Sequence, residues 1–317
     1  MTWKPDIVIY HGGCDDGFGA AWAVWRKWGY GDAREGFEYD DASNTKIRRG
    51  PISYVGMRYG DDLPDVKDKR VLMVDFSLKQ EAMREAGKSA HSIVVLDHHK
   101  TARAELHEWG SSTPPSNLGT RLAETDFEIS HCLMQNCLPI IAWFDMEKSG
   151  ARLAWEFCWP NEDVPALILA VEDRDLWRFA LRDTKEISAA LRTYEHSFEQ
   201  WDAFAADLSS LRSDGAAILR GHQKNIGAFL ANAYKAKVGG HFVPVVNVPY
   251  HYASDAAHEL LQRDPGAPFA AAWFRRGDGT IQWSLRSEDN RVDVSEIAKA
   301  FGGGGHRNAA GFQAPAA

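Results

Sequence analysis

The chain has 317 residues, enough for two ordinary domains. Its hydrophobic share of 44% and charged share of 25% are those of a globular protein and exclude global disorder. A formal net charge of −8 argues against a broad basic surface for duplex DNA. No apolar run approaches the ~20 residues that a membrane span needs. Residues 1–10 carry no basic segment followed by a long apolar run, so no secretory leader and no membrane association are expected. The four cysteines, Cys14, Cys132, Cys137 and Cys158, form no CxxC pair and read as free thiols of a cytoplasmic protein.

Residues 6–10 predict a short apolar strand that runs into His11, a Gly-rich turn with Cys14, Asp15 and Asp16, and a helix over 18–28. Strands are predicted at 52–57, at 71–76 ending on Asp75, and at 92–99 ending on Asp97, His98 and His99. A polar helix is predicted at 79–90 between the last two. Residues 103–139 look less regular, and the turn-rich stretch 109–116 reads as an insertion or a lid. A strand follows at 140–144. Ser149 is expected to cap a helix reaching Cys158, and a further helix starts at Pro165 and leads to Asp173, Asp175 and Phe179. Residues 185–236 read as mostly helical and 239–317 as strand-rich, with strands at 241–248, 269–274 and 280–286 and a turn at Asp278-Gly279. A helix at 294–301 precedes the glycine run 302–305, and Ala309-Ala310-Gly311 looks helix-like.

Nearly continuous apolar strands indicate a parallel sheet covered on both faces. In such sheets ligands bind beyond the carboxyl ends of the strands. The reactive side chains fall at those ends: His11, Asp15 or Asp16, Asp75, Asp97, His98, His99, Asp173 and Asp175. An isolated strand-end aspartate commonly caps a helix. Successive strands all ending in such groups need another reason. Imidazoles mixed with carboxylates suit divalent ions of the Mn²⁺, Fe²⁺, Co²⁺ and Zn²⁺ kind. Two such ions about 3.5–4 Å apart can clamp the attacking and leaving oxygens of a displacement at phosphorus.

The glycine run allows backbone N–H groups to approach a phosphate closely, with His306 and Arg307 adding side-chain contacts and Asn308 following. Ser284 and Arg286 share one face of the preceding strand by alternation. Asn247 and Ser254 are weaker candidates. Trp273 and Trp283 read as core.

Asp97-His98-His99 after an apolar strand, together with Gly303-Gly-Gly-His-Arg-Asn-Ala-Ala-Gly-Phe312, resembles the signatures of the DHH/DHHA1 phosphoesterase superfamily. The two motifs lie in the expected order, and His11, Asp16-Gly17, Val74-Asp75 and Asp173/Asp175 with Phe179 fall where the family's other motifs fall. The resemblance implies an α/β chain: a DHH metal domain with a parallel sheet and helices on both faces (1–184), a helical bridge (185–238) and a smaller α/β DHHA1 substrate domain (239–317). It implies that His11 binds a first ion, that Asp16, His98 and either Asp175 or Asp173 bind a second, and that Asp75 bridges them. The Asp175-to-Phe179 spacing favours Asp175. His99 would contact the substrate phosphate or leaving group, and Asp97 would orient the histidines. Gly303, Gly304, Gly305, His306, Arg307, Asn308, Arg286 and Ser284 would hold the substrate.

One departure stands out. The family's first motif has two aspartates separated by one position, and ending it on Asp16 puts Cys14 at the first of them. Asp15 could substitute only by a shifted loop. The expected function is hydrolysis of phosphodiester or phosphomonoester bonds in short oligonucleotides or small nucleotide phosphates by two divalent ions. Mn²⁺ is the leading choice, with Mg²⁺ or Co²⁺ as alternatives. Alternatives are an exonuclease on longer single strands, a cyclic-dinucleotide phosphodiesterase, and a non-catalytic nucleotide sensor. A homodimer is left open.

Overall fold

The computed structural model describes residues 3–29, 36–40, 45–49, 51–110 and 118–315. It divides into two compact units, Met1–Gly215 and Ala216–Ala317.

In the first unit, β1 (Ile7–His11) leads into α1 (Asp15–Trp28). An antiparallel ribbon, β2 (Gly36–Asp40) and β3 (Thr45–Arg49), comes next, then β4 (Ser53–Met57) and β5 (Arg70–Val74). The chain continues through α2 (Gln80–Ser89), β6 (Ser92–Asp97), α3 (Lys100–Glu105), α4 (Leu118–Met134) and β7 (Ile140–Phe144). Four helices follow: α5 (Gly150–Cys158), α6 (Ala166–Asp175), α7 (Thr184–Leu191) and α8 (Phe198–Ala206). The main sheet has the order β4-β1-β5-β6-β7, and every pair in it is parallel. All residues of β5, β6 and β7 are buried, which is why these strands read as continuous apolar runs rather than alternating ones. One face packs Ile9, Met73 and Val95 against Met83 and Ala86 of α2 and Ala102 of α3. The other face meets α1 and α5.

The sequence between β4 and β5 crosses from one side of β1 to the other. The topological switch point therefore lies between β1 and β5, and in such sheets ligands bind beyond the strand ends at that point. Register sets what lines it. Tyr10 pairs with Val74, and Val74 pairs with Leu96. The next residue along each strand is His11, Asp75 or Asp97, so these three form one row across three neighbouring strands.

Helix α9 (Ser209–Leu230) spans the division between the units. The second unit contains β8 (Tyr234–Val238), β9 (His241–Asn247), α10 (Ala253–Arg263), β10 (Ala270–Arg275), β11 (Ile281–Arg286), α11 (Val294–Ala300), β12 (Gly304–His306) and β13 (Ala309–Ala314). Its sheet order is β12-β13-β11-β10-β9-β8, with β9 and β10 parallel and the other pairs antiparallel. Alternation along β9 divides its valines: Val246 packs under α10, and Val243 and Val245 pack under α11.

Three sequence expectations need correction. The segment 103–139, expected to be irregular, includes the second half of α3 and all of α4; residues 111–116 of the expected insertion or lid lie outside the described residues. Ala309-Ala310-Gly311 is not helical. Its three residues pair with Arg286, Leu285 and Ser284 as part of β13, so sheet pairing overrides alanine's helix propensity. β8 and α10 were not anticipated. No described helix is long and apolar enough to cross a membrane.

Leu72 of β5 is fully buried (0% exposed), whereas Phe242 of β9 is 67% exposed. Leu72→Ala is expected to destabilise the first unit by about 2–5 kcal/mol, and Phe242→Ala to leave the unfolding midpoint almost unchanged. Urea unfolding followed by tryptophan fluorescence and circular dichroism checks this. An unshifted midpoint for Leu72→Ala would contradict the two-sided burial of β5.

Candidate metal centre

Asp75 follows β5 directly and has a positive φ of 53°. This region is uncommon for residues other than glycine, and aspartate is among those that tolerate it. Its N–H donates to the carbonyl of Leu96 at 2.9 Å, so the strained residue is anchored to β6. The side chain is 2% exposed. Its two oxygens face two different sets of donors. Oδ2 lies 3.6 Å from His11 Nδ1 and 3.5 Å from Cys14 Sγ. Oδ1 lies 3.1 Å from His98 Nε2 and 3.9 Å from His99 Nδ1. His98 Nε2 is in turn 3.6 Å from Asp16 Oδ2 and 3.5 Å from Asp175 Oδ2. The structure thus brings together His11, Asp16, Asp75, His98, His99 and Asp175, and it adds Cys14.

The supports of this cluster come from the secondary structure. Asp16 lies in the first turn of α1, but its carboxylate reaches the start of α5, accepting from Gly150 N at 2.7 Å and Ala151 N at 3.0 Å. These are N–H groups that an α-helix leaves unpaired. Ser149 caps α5 as expected, its Oγ accepting from Arg152 N at 3.3 Å. Its own N–H donates to Glu172, a buried carboxylate that Arg152 also holds at 2.8 Å. A Cβ on Gly150 would collide with the side chain of Asp75; only glycine lets α5 come this close. Asp97 Oδ1 accepts from the backbone N–H groups of His98 and His99 at 2.7 and 3.1 Å, and from His99 Nδ1 at 2.7 Å. A carboxylate surrounded by donors requires Nδ1 to carry the proton, which fixes the ring's orientation.

Two expected candidates stand elsewhere. Asp173 is buried, and its carboxylate accepts from Ala180 N (2.8 Å), Leu181 N (3.0 Å) and Thr184 Oγ1 (2.6 Å). It ties the segment after α6 to the start of α7. Asp15 lies 3.4 Å from His196 Nε2, outside the cluster. Gly150, Glu172 and Thr184 were not singled out from the sequence. Ser149 had marked where α5 begins, but nothing in the sequence showed that Asp16 or Asp75 would meet it.

Burial pushes the Asp16 carboxyl well above its usual range, and the nearby Asp75 and Asp175 add to this. Burial would also raise Asp75, but hydrogen bonds from His11 and His98 outweigh it and hold that carboxyl far below the usual range. Burial opposes charge on His98, yet its hydrogen bond to Asp75 and the charges of Asp75, Asp16 and Asp175 raise it to about 10. Burial likewise opposes charge on His99, and Asp97 and Asp75 raise it to about 9. Without cations the cluster keeps protons where ligands would have to shed them. The donor set of imidazoles, carboxylates and one sulfur fits divalent ions of the Mn²⁺-to-Zn²⁺ series.

In the second unit, Arg286 Nη2 donates to Ser254 Oγ at 2.7 Å and Nη1 to Leu285 O at 2.7 Å. Leu285 is buried on the other face of β11 from Ser284 and Arg286. Asn247 Nδ2 donates to the carbonyl of Trp273 at 2.9 Å. Trp273 and Trp283, expected in the core, are partly buried against it. Gly302 ends α11 with a φ of 77°, and Gly303 N donates back to Ala298 O at 2.8 Å. Gly304, Gly305 and His306 form β12, with Arg307 and Asn308 as the turn into β13. Arg307 donates to the carbonyls of Asp289 and Arg291 at 2.9 and 3.1 Å and lies 3.4 Å from Asp293 Oδ2. Asn308 Nδ2 donates to Asp289 Oδ1 at 2.6 Å. Both turn residues are thus fastened to the 289–293 loop. The four cysteines are free thiols.

Residues 248–317 match the DHHA1 domain family. The chain is 30% identical over 326 residues to an uncharacterized protein of Acanthamoeba polyphaga mimivirus, the match covering 98% of this chain and 67% of that protein. It is 24% identical over 247 residues to oligoribonuclease NrnB of Bacillus subtilis (strain 168), covering 76% of this chain and 58% of that protein. Among solved structures, an exopolyphosphatase-related protein from Bacteroides fragilis aligns with a TM-score of 0.46 at 14% identity, covering 99% of this chain and 88% of that one. A pGpG-specific phosphodiesterase, PggH, from Vibrio cholerae aligns with a TM-score of 0.38 at 11% identity, covering 98% of this chain and 93% of that one.

Two outcomes follow from the geometry. Because His98 is held protonated up to about pH 10 and must be neutral to bind an ion, Mn²⁺ binding should release protons and tighten as pH rises from 7 towards 9. Calorimetric titration in buffers of different ionisation enthalpy measures the release; a pH-independent affinity with no release would contradict it. Gly150→Ala should displace α5 from Asp75 and weaken Mn²⁺ binding by about tenfold or more, read in the same titration.

Proposed function

The chain belongs to the DHH/DHHA1 superfamily, and on that premise we propose that it is a metal-dependent phosphoesterase. It hydrolyses phosphodiester or phosphomonoester bonds in short oligonucleotides or small nucleotide phosphates. One observation carries the reading: the buried Asp75 carboxylate turns one oxygen to His11 and the other to His98, the arrangement of a group that bridges two ions. His11 and Asp75 would hold the first ion; Asp75, Asp16, His98 and Asp175 would hold the second. Asp175 is preferred to Asp173 because the Asp173 carboxylate is bonded to Ala180, Leu181 and Thr184. Two divalent ions, Mn²⁺ foremost, would supply a water acidified to near-neutral pKa and neutralise charge at phosphorus.

The chain's own residues set the rest. Asp97 fixes the His99 ring through Nδ1, which assigns Nε2 to the phosphate or leaving-group oxygen. As an imidazolium, His99 donates a proton or a charged hydrogen bond there. In the second unit, Arg286 with Ser284 on the same face, the Gly303–Gly305 backbone and His306 would hold a substrate phosphate. Arg307 and Asn308 keep the shape of that turn. The relationship to an oligoribonuclease and the net charge of −8 both support a short substrate. A cytoplasmic site of action is part of this reading, with the four cysteines as free thiols.

The test is mononucleotide or phosphate release from a dinucleotide, a five-residue RNA, 3′-phosphoadenosine 5′-phosphate, a cyclic dinucleotide and a long single strand, with Mn²⁺ and with EDTA. Mn²⁺-dependent release from the short substrates is expected. Asp75→Ala should abolish it with the fold intact, and His99→Ala should lower kcat by about 10²–10⁴-fold. Equal turnover of the long strand would favour an exonuclease, preferential cleavage of the cyclic dinucleotide would favour that phosphodiesterase, and nucleotide binding without turnover would favour a sensor.

A further inference from the structure

The first-motif position that a carboxylate would fill is Cys14, and the fold delivers its sulfur into the cluster. Cys14 Sγ is 3.3 Å from His11 Nδ1 and 3.5 Å from Asp75 Oδ2, and those two atoms are 3.6 Å from each other. The three donor atoms form a nearly equilateral triangle. A tetrahedral ion bound by sulfur at ~2.3 Å and by nitrogen or oxygen at ~2.0–2.1 Å spaces its ligand atoms by roughly 3.3–3.6 Å. The triangle therefore has the size of one face of such a shell. The neighbouring carboxylate does not compete for the place, since Asp15 turns to His196. Sγ also accepts the N–H of Gly17 at 3.2 Å, as the N-cap of the 14-residue helix α1. Without an ion, burial and the Asp75, Asp16 and Asp175 carboxylates push the Cys14 thiol well up, and the Gly17 N–H only partly opposes them; the sulfur becomes anionic when an ion displaces its proton.

We infer that Cys14 is a thiolate ligand of the first ion, beside His11 and Asp75, and that this position prefers a softer ion than the oxygen- and imidazole-lined second position. The inference rests on the two-ion reading above. Binding exchanges a proton for the ion: the S–H bond breaks, a sulfur–metal bond forms, and the proton passes to the buffer. The two positions would then differ in chemistry, one suited to Zn²⁺, Co²⁺ or Cd²⁺ and the other to Mn²⁺ or Mg²⁺.

Co²⁺ loading of the full chain tests this without any substrate. Wild-type protein should bind two equivalents by elemental analysis and show a near-ultraviolet sulfur-to-cobalt charge-transfer band. Cys14→Ser should lose that band while keeping cobalt at the second position. Cys14→Asp should lose it too and shift the Cd²⁺-over-Mn²⁺ preference towards Mn²⁺ by about tenfold or more. Circular dichroism confirms that each variant is folded. Two bound cobalt ions without the band, or a band that survives in Cys14→Ser, would overturn the thiolate assignment and leave the two-ion reading in place. No cobalt bound to folded wild-type protein would overturn both.

Discussion

The first unit is organised around Asp75. A carboxylate that is 2% exposed is costly to bury unless its charge is compensated. Here His11 and His98 compensate it, and those imidazoles are themselves surrounded by Asp16, Asp175 and the Cys14 sulfur. In the absence of ions the balance is kept by protons, with His98 raised to about 10. Divalent cations can take over that role and free the imidazoles to act as ligands. Every feature near the strand ends can be read as serving this exchange.

The scaffold makes the cluster rigid in several independent ways. Parallel register places His11, Asp75 and Asp97 in one row. The first N–H groups of α5 grip Asp16, and Gly150 brings that helix against Asp75. Asp173 fastens the segment that follows Asp175, and Asp97 locks His99. His11, Asp16 and Asp175 lie within elements, and Asp75, His98 and His99 directly follow strands, so the scaffold holds the side chains of the cluster in place. The strained backbone at Asp75 fits this picture: a non-glycine residue at positive φ persists only where the surroundings hold it.

Much of this was legible in the sequence because chemistry and topology coincided there. His11, Asp75 and the Asp97-His98-His99 run each close an apolar strand, and strands of a parallel sheet all end on one side. The choice between Asp173 and Asp175 was not settled by pattern alone. Two residues apart on a helix, they point to different sides, and only the bonds to Ala180, Leu181 and Thr184 show which one faces inward. Asp15 and Asp16 differ for the same reason. The role of Gly150 was hidden because a close approach depends on a residue 75 positions away in the chain. In the second unit the Ala309-Ala310-Gly311 stretch misled, since local propensity favours a helix and pairing with β11 decides otherwise. Arg307 looked like an anion contact by type, while its hydrogen bonds run to the 289–293 loop.

The central claim is that one buried carboxylate is shared by two ions. Anomalous diffraction at the manganese edge from crystals grown with Mn²⁺ tests it most directly. The account predicts two peaks flanking Asp75, one beside His11 and the other beside His98, Asp16 and Asp175. A single peak, or peaks that do not touch Asp75, would contradict it.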